Sequence, residues 1–383
     1  MKSFCCFLSY VKAKIKFRKK WRSFEDWVIN HFGKYLYTIF FKTYTEKVWG
    51  IPCHEISADW AAQRIKGLSL MSAVLHSLRP KYFRKNKNIK SLIESFRYPR
   101  KGPGMLWEAC ADKLVNMGGH IEMGKKVVRI EFNQENEQPW ETFYQGKDGI
   151  FSIKSKNIIS SAPLRELITE YLHPRPNDAV IKSAENLKYR DFIIVALVLK
   201  EKHQFTDNWI YIHDSTVSVG RIQNFKSWSP EMVPDNHYAC YGMEYFCFEN
   251  DDLWQQTDDH LIQKAKYELT QVGLAEAEDI LDACVVRQVK AYPVYDEQYA
   301  ENIQVIRNAL KDHYPGLHLV GRNGMHKYNN QDHAMMTAML TVENILSDSS
   351  IYDVWQVNQD AEYHEIAGSD QNEFGLRQVP KRV

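Results

Sequence analysis

The sequence predicts a mixed α/β chain in which helices alternate with short buried strands, and one long stretch forms a largely antiparallel sheet flanked by helices. Three observations predict it. Apolar residues recur at helical spacing near both ends of the chain. Residues 192–248 are dominated by β-branched and aromatic runs, FIIVALVL, NWIYI and HYACYGMEYFCF. Near the C-terminus a short apolar strand runs through a glycine and a polar loop into a helix.

In chain order, Phe24, Trp27, Val28 and Phe32 lie at helical spacing, and Leu36, Ile39 and Phe40 are expected to continue the stripe past Gly33. After the break at Gly50, Ile51 and Pro52, residues 56–65 and 68–78 read as helices and 84–90 as a solvated loop. A helix over 106–117 should stop at Gly118 and Gly119. Strands follow around Val128, Ile130 and Phe132 and over 150–153, and a buried strand through Ile158 and Ile159 ends at Ala162 and Pro163. Beyond the sheet, Thr257 suits a helix cap and Asp258 and Asp259 the first turn. Leu261, Ile262, Ala265, Leu269 and Val272 form the buried stripe, and Gly273 the stop. A strand over 283–289, a helix over 296–313, a strand over 317–320 and a helix over 332–346 complete the pattern. The polar tail after Ser347 is expected to drape over the surface.

With 383 residues, 44% of them hydrophobic, the chain can bury a large core. The net charge of +1 conceals a basic arm, since residues 1–22 carry eight basic side chains and no acidic one. The remainder holds 41 basic against 48 acidic residues, which argues against nucleic-acid binding. The apolar run 4–11 is too short to span a bilayer, and its charges follow rather than precede it, unlike a signal peptide. An amphipathic surface helix or a frayed terminus is the expectation, with peripheral contact to anionic lipid through the arm as the alternative. Seven scattered cysteines without a CxxC pair suit a reducing, cytoplasmic setting.

The chemistry concentrates in residues 318–333, HLVGRNGMHKYNNQDH. Asn330 can cap the last helix, with Asp332 in its first turn, so backbone N–H groups and the positive helix end converge where an anion or electron-rich ring is stabilised. Ala334, Thr337, Ala338 and Thr341 form a small-residue stripe for close approach, and Met335, Met339, Val342 and Leu346 are expected to fill the core beside it. His326, Asp332 and His333 have the residue types of a metal site. Adjacent Asp332 and His333 would diverge at a helix start, so no metal is expected.

The run GRNGMHKYNNQDHAMMTAM resembles the C-terminal flavin motif of FAD-dependent oxidoreductases of the amine oxidase, protoporphyrinogen oxidase and UDP-galactopyranose mutase superfamily. The resemblance implies FAD as cofactor, with Gly321 and Arg322 at the ribityl and pyrophosphate region and Asn330, Gln331 and Asp332 at the pyrimidine edge. It implies that Tyr328 faces the substrate side. Gly102, Gly104 and Met105 resemble the family's glycine turn beside the flavin, Val128 the strand that meets adenine, Ala162 the strand end near the cofactor, and Tyr292 the segment closing the substrate pocket. Arg221, on an expected sheet strand, is a candidate to pair with an anionic substrate group, as are Arg322 and Arg287. Trp209, Tyr211, Trp228, Tyr241 and Tyr245 are candidates to line a flat pocket. Glu46, Lys47 and Trp49 match a family segment without assignable roles.

Members of that superfamily open with a strand, a GxGxxG loop and a helix. The nearest run here, Gly102–Pro103–Gly104, has Trp107 at the third glycine position. The expected architecture is therefore an incomplete Rossmann-like FAD-binding layer plus an antiparallel-sheet substrate domain, with about the first quarter of a typical family chain missing. In segments, 1–23 is the basic arm, 24–98 the helical part of the substrate domain, and 99–175 and 315–347 FAD-domain segments. Residues 176–314 are the sheet of the substrate domain and 348–383 a polar tail. The implied function is hydride transfer from a small-molecule substrate to flavin, with no side-chain acid or base identifiable. A mutase-like isomerase acting on a sugar nucleotide and a non-catalytic binding subunit are the alternatives.

Overall fold

The computed structural model describes residues 2–15, 21–58, 97–202 and 205–358. The helices expected over 56–65 and 68–78 and the loop 84–90 fall outside the described residues, apart from 56–58. The described chain divides into two compact units. The first holds the residues up to Ala109 together with Asp191–Val289, and the second holds Cys110–Arg190 and the chain from Lys290.

In the second unit, β1 (Lys126–Phe132), β2 (Trp140–Gly146) and β3 (Gly149–Ser155) form an antiparallel meander. A short strand, β4 (Ile158–Ser160), follows, and β5 (Leu172–His173) pairs in parallel with β1. The core on this sheet gathers Ile130, Trp140, Leu164, Leu167 and Leu172 with Ile303, Ile306 and Leu310 of the helix Tyr299–His313. Trp140 is fully buried, and its indole N–H donates to the Pro315 carbonyl at 2.9 Å, which removes the cost of burying that donor.

The first unit is built on β6 (Tyr189–Lys200), β7 (Trp209–Tyr211), β8 (Arg221–Asn224), β9 (Tyr238–Cys247) and β10 (Ile280–Pro293), in the order β10-β6-β9-β8-β7. β6 and β9 are antiparallel in unbroken register from Asp191↔Cys247 to Lys200↔Tyr238. Ile193, Val195 and Leu197 pack with Tyr241, Met243 and Tyr245 against Leu261, Ala265 and Leu269 of the helix Asp258–Gln271. Tyr241 and Tyr245, read from sequence as pocket candidates, are therefore core, at 1% and 0% exposure. The alternation of strand side chains places them on the inward face with Met243.

Two further expectations are corrected. The stripe does not continue past Gly33, because Tyr37–Lys42 is π-helical. Its wider turn rotates the row, leaving Ile39 and Phe40 half exposed, at 46% and 51%. The chain after Ser347 does not simply drape, since Tyr352 and Val357 are buried and cluster with Leu340. Apolar residues spaced through 351–357 supply that anchor.

Candidate functional site

β11 (Leu317–Leu319) pairs in parallel with β4 and delivers the chain to Val320, whose N–H donates to the Ser160 carbonyl at 3.0 Å. Gly321 then adopts φ +77°, a conformation glycine reaches without steric cost, and a single helical turn, Gly321–Gly324, follows. The loop closes on itself. The Asn329 side-chain amide donates to the Gly321 carbonyl at 3.1 Å and the Lys327 N–H to the Arg322 carbonyl at 2.9 Å. Gly321 N–H donates to Thr337 Oγ1 at 3.0 Å, seating the loop on the helix Gln331–Leu346. Thr337 and Thr341 of the small-residue stripe are buried, as close approach requires.

Asn330 caps this helix as the sequence predicts, in a reciprocal arrangement. Its side chain accepts from the His333 N–H, and His333 Nδ1 accepts from the Asn330 N–H at 3.2 Å. Asp332 is half-buried in the first turn, and Gln331 is exposed. The other flank differs from expectation. Met339, Val342 and Leu346 are 57%, 42% and 80% exposed rather than core. The inward row is Thr337, Leu340 and Thr341, and 339, 342 and 346 lie on the opposite side of the helix.

Arg322 draws two predicted substrate residues together. Its Nε donates to the Asn329 carbonyl at 2.9 Å and its Nη1 to the Ala291 carbonyl at 2.8 Å. The guanidinium lies 5.0 Å from the Tyr292 ring and 4.9 Å from the Tyr328 ring, and the two rings stack with centroids 5.5 Å apart. Tyr328 N–H also donates to Tyr295 Oη at 2.7 Å. This brace ties residues 291–295 to the turn.

Ala162 stands at the end of β4 beside the turn, its N–H donating to Ser160 Oγ at 3.3 Å. Val128 belongs to the other sheet, at a register shift where the pairing steps from Val127↔Tyr144 to Arg129↔Phe143, so β2 leaves its backbone unmatched. The remaining predicted residues lie in the first unit. Gly102 takes φ +94° and packs on Met232. Gly104 opens the helix Gly104–Asn116 facing open space, and Met105 Sδ accepts from the Lys101 N–H. Arg221 on β8 pairs with the fully buried Glu244, which also accepts from Gln223. Burial pushes the Glu244 carboxyl up, and Arg221 opposes that shift. Arg287 pairs with Asp258 at 2.5 Å. Trp209 stacks on Trp228 at 5.1 Å, and Tyr211 meets Tyr44 edge-on at 4.8 Å. Trp49 is buried, and Glu46 accepts from the Cys53 N–H at 3.2 Å.

Sequence reasoning missed three buried polar groups. Glu268 lies on the inward side of its helix, where its spacing from Leu261 and Ala265 was the available signal. Lys327 is buried and donates to the Trp355 and Val357 carbonyls at 2.6 and 2.5 Å, and burial pushes its pKa down to about 8. His326 is fully buried, edge-on to Tyr189 at 4.5 Å, and neither ring nitrogen has a hydrogen-bond partner among the described residues.

Burial, and secondarily the charge of Arg165, pushes the His326 pKa down to about 3, so the folded state keeps this ring neutral. An unfolded histidine titrates near 6.5. Below that pH the unfolded chain takes up a proton that the folded chain refuses, so stability falls as pH drops from about 6.5 toward about 3. The slope is on the order of 1.4 kcal/mol per pH unit. His326→Asn, which tolerates the φ of +44° found here, should flatten that slope in urea unfolding between about pH 7 and about pH 5. Equal slopes for the two proteins would show that His326 is not the proton-linked group.

Three comparisons bear on this geometry. The profile of the family described as flavin containing amine oxidoreductase matches residues 22–346. The fold is similar to that of a reduced UDP-galactopyranose mutase, with a TM-score of 0.77 and 18% identity over 94% of this chain and 74% of the other. It is also similar to a putative protoporphyrinogen oxidase from Exiguobacterium sp., with a TM-score of 0.62 and 14% identity over 91% of this chain and 72% of the other. These likenesses establish the architecture of an α/β flavoprotein fold, and the profile match over most of the chain establishes kinship: this chain belongs to the flavin-containing amine oxidoreductase family.

Proposed function

We propose that this chain is the flavin- and substrate-holding part of an FAD-dependent oxidoreductase that accepts a hydride from a small-molecule substrate. The closed turn from Gly321 to Asn330, set on the capped start of the helix Gln331–Leu346, carries the reading. Among the described residues the nearest atom to a Cβ at Gly321 would be Ala334 Cβ, at 3.9 Å, so there is space beside the turn for a flat group. FAD, when bound, supplies the electron chemistry, and the protein positions and polarises. Gly321 and Arg322 would hold the ribityl and pyrophosphate region, and Asn330, Gln331 and Asp332 the pyrimidine edge, where a positive helix end favours negative charge. Ala162 would border the cofactor, and the unmatched backbone of Val128 would meet adenine. Tyr292 and Tyr328, locked by Arg322, would orient the substrate.

A mutase-like isomerisation of a sugar nucleotide is the second reading, supported by the likeness to UDP-galactopyranose mutase. Against it, Arg221 is neutralised by Glu244, so it offers no uncommitted charge to a sugar diphosphate. The seven cysteines, which form no disulfide among the described residues, support a reducing, cytoplasmic setting.

The test is to incubate the purified chain with FAD, desalt it and record the flavin spectrum. Retained colour that bleaches anaerobically with an oxidisable substrate supports the oxidoreductase. Turnover of a UDP-sugar only after prior reduction, with no net redox change, supports the mutase. A chain that stays colourless sinks both and leaves a non-catalytic binding subunit.

A further inference from the structure

The helix Lys2–Ile15 docks by one side only. On that side Tyr10 is buried and Ser9 Oγ accepts from the Tyr35 N–H at 2.9 Å. At ~100° per residue, Phe4, Phe7, Leu8, Val11 and Ile15 fall within an arc of about 100° on the other side. Four of these are open to solvent: Phe4 at 65%, Phe7 at 53%, Leu8 at 52% and Ile15 at 79%. An apolar row of this size would ordinarily face a core. Lys12 and Lys14 border the arc on its two edges, both exposed, and the Lys14 ammonium lies 5.4 Å from the Tyr10 ring. Leu8 and Lys12 also line a groove of about 790 Å³ with Trp21 and the exposed Ile39, which extends the apolar surface beyond the helix.

The charge of the segment selects the occupant. Residues 1–22 hold eight basic side chains and no acidic one, against an acidic remainder. A second copy of this chain would bring the same positive charge to the face and be repelled, and a neutral apolar partner would leave the lysines unused. A surface that is apolar just below a layer of fixed negative charge satisfies both features. Among the described residues no helix is long and apolar enough to cross a membrane, and this one has 14 residues.

We infer that the helix Lys2–Ile15 is an interfacial helix that seats the chain on an anionic lipid bilayer, with Phe4, Phe7, Leu8, Val11 and Ile15 in the acyl boundary. Lys12 and Lys14 reach the headgroups on either side, in the manner of long basic side chains at membrane interfaces.

The test is co-sedimentation of the full chain with vesicles of phosphatidylcholine alone or with about one third phosphatidylserine. Binding is expected only to the anionic vesicles, and added salt should release it. The double variant Phe7→Ser/Leu8→Ser should lose at least about tenfold in partitioning, and Lys12→Gln and Lys14→Gln about fivefold each. These residues are exposed, so circular dichroism should match the unchanged chain. The inference is overturned by absence of binding, by equal binding to both vesicle types, or by full binding of Phe7→Ser/Leu8→Ser. It is equally overturned if the chain is a dimer in vesicle-free buffer and Phe7→Ser makes it a monomer, since a second copy would then own the face.

Discussion

Gly324→Ala should lower the unfolding free energy by ~3 kcal/mol, the upper end of the range for overpacking a well-packed site. A Cβ at residue 324 would sit 2.5 Å from the Ser160 carbonyl oxygen and 3.0 Å from the Ser161 Cα. Both are backbone atoms, so no flexible side-chain end can swing away. Ser160 also accepts the Val320 N–H and terminates the parallel pairing of β4 with β11. The methyl group must therefore push apart the strand pair that delivers the chain to the Gly321 turn. The φ of Gly324 is not left-handed, so the cost is purely one of space. Gly104→Ala is the matched control. It opens a helix with nothing within 4 Å of the added carbon, and should be neutral or slightly stabilising. Urea unfolding of the two variants checks the contrast. A Gly324→Ala variant within about 0.5 kcal/mol of the unchanged chain would show that the turn and strand are not held in this contact.

What the sequence made legible was local, because it depends on residues within a few positions of one another. The Thr257 side chain accepts from the His260 N–H, Gly273 takes φ +74°, and Asn330 caps its helix; each is settled by chemistry over three or four residues. The long apolar runs that form β6 and β9 were legible as strands for the same reason, although their pairing joins residues far apart in the chain. What was not legible depends on distant partners or small changes in helical pitch. Ile39 and Phe40 have the spacing of a buried row, and only the π-helical turn at Tyr37–Lys42 moves them outward. Met339, Val342 and Leu346 look like core by composition, yet the small residues opposite them take the inner face. At the candidate site, Asn330 and Gly321 were readable from a cap and a glycine, whereas the brace of Arg322 between Tyr292 and Tyr328 depends on segments about thirty positions apart.

Glu268→Ala is expected to cost about 3–5 kcal/mol, the range for removing one partner of a buried ion pair. Glu268 is 3% exposed, and its two oxygens accept from the Ser218 and Val219 N–H groups, each at 2.9 Å, with Lys264 at 2.8 Å. Across the same loop, Lys47 donates to the carbonyls of Ile212, Asp214 and Val219 at 3.2, 2.5 and 3.1 Å. Burial pushes the Lys47 pKa down, and the charges of Glu268 and Asp214 pull it back, so Lys47 and Glu268, which both bind Val219, stabilise each other's charge on the loop 212–219. Alanine at 268 removes the acceptor for two N–H groups and leaves the lysine with less compensation. Glu268→Gln should retain part of the stability, since its carbonyl can still accept one of the two donors while its amide faces the other. The pairing is testable apart from its parts. In a cycle of Glu268→Gln, Lys47→Met and the double variant, the coupling should be about 1 kcal/mol, because each change removes one of two charges that compensate the other residue, Lys264 and Asp214 remaining. Strict additivity would mean that the carboxylate and the ammonium hold the loop independently. The loop would then be organised by its hydrogen bonds, and the charges would be incidental to it.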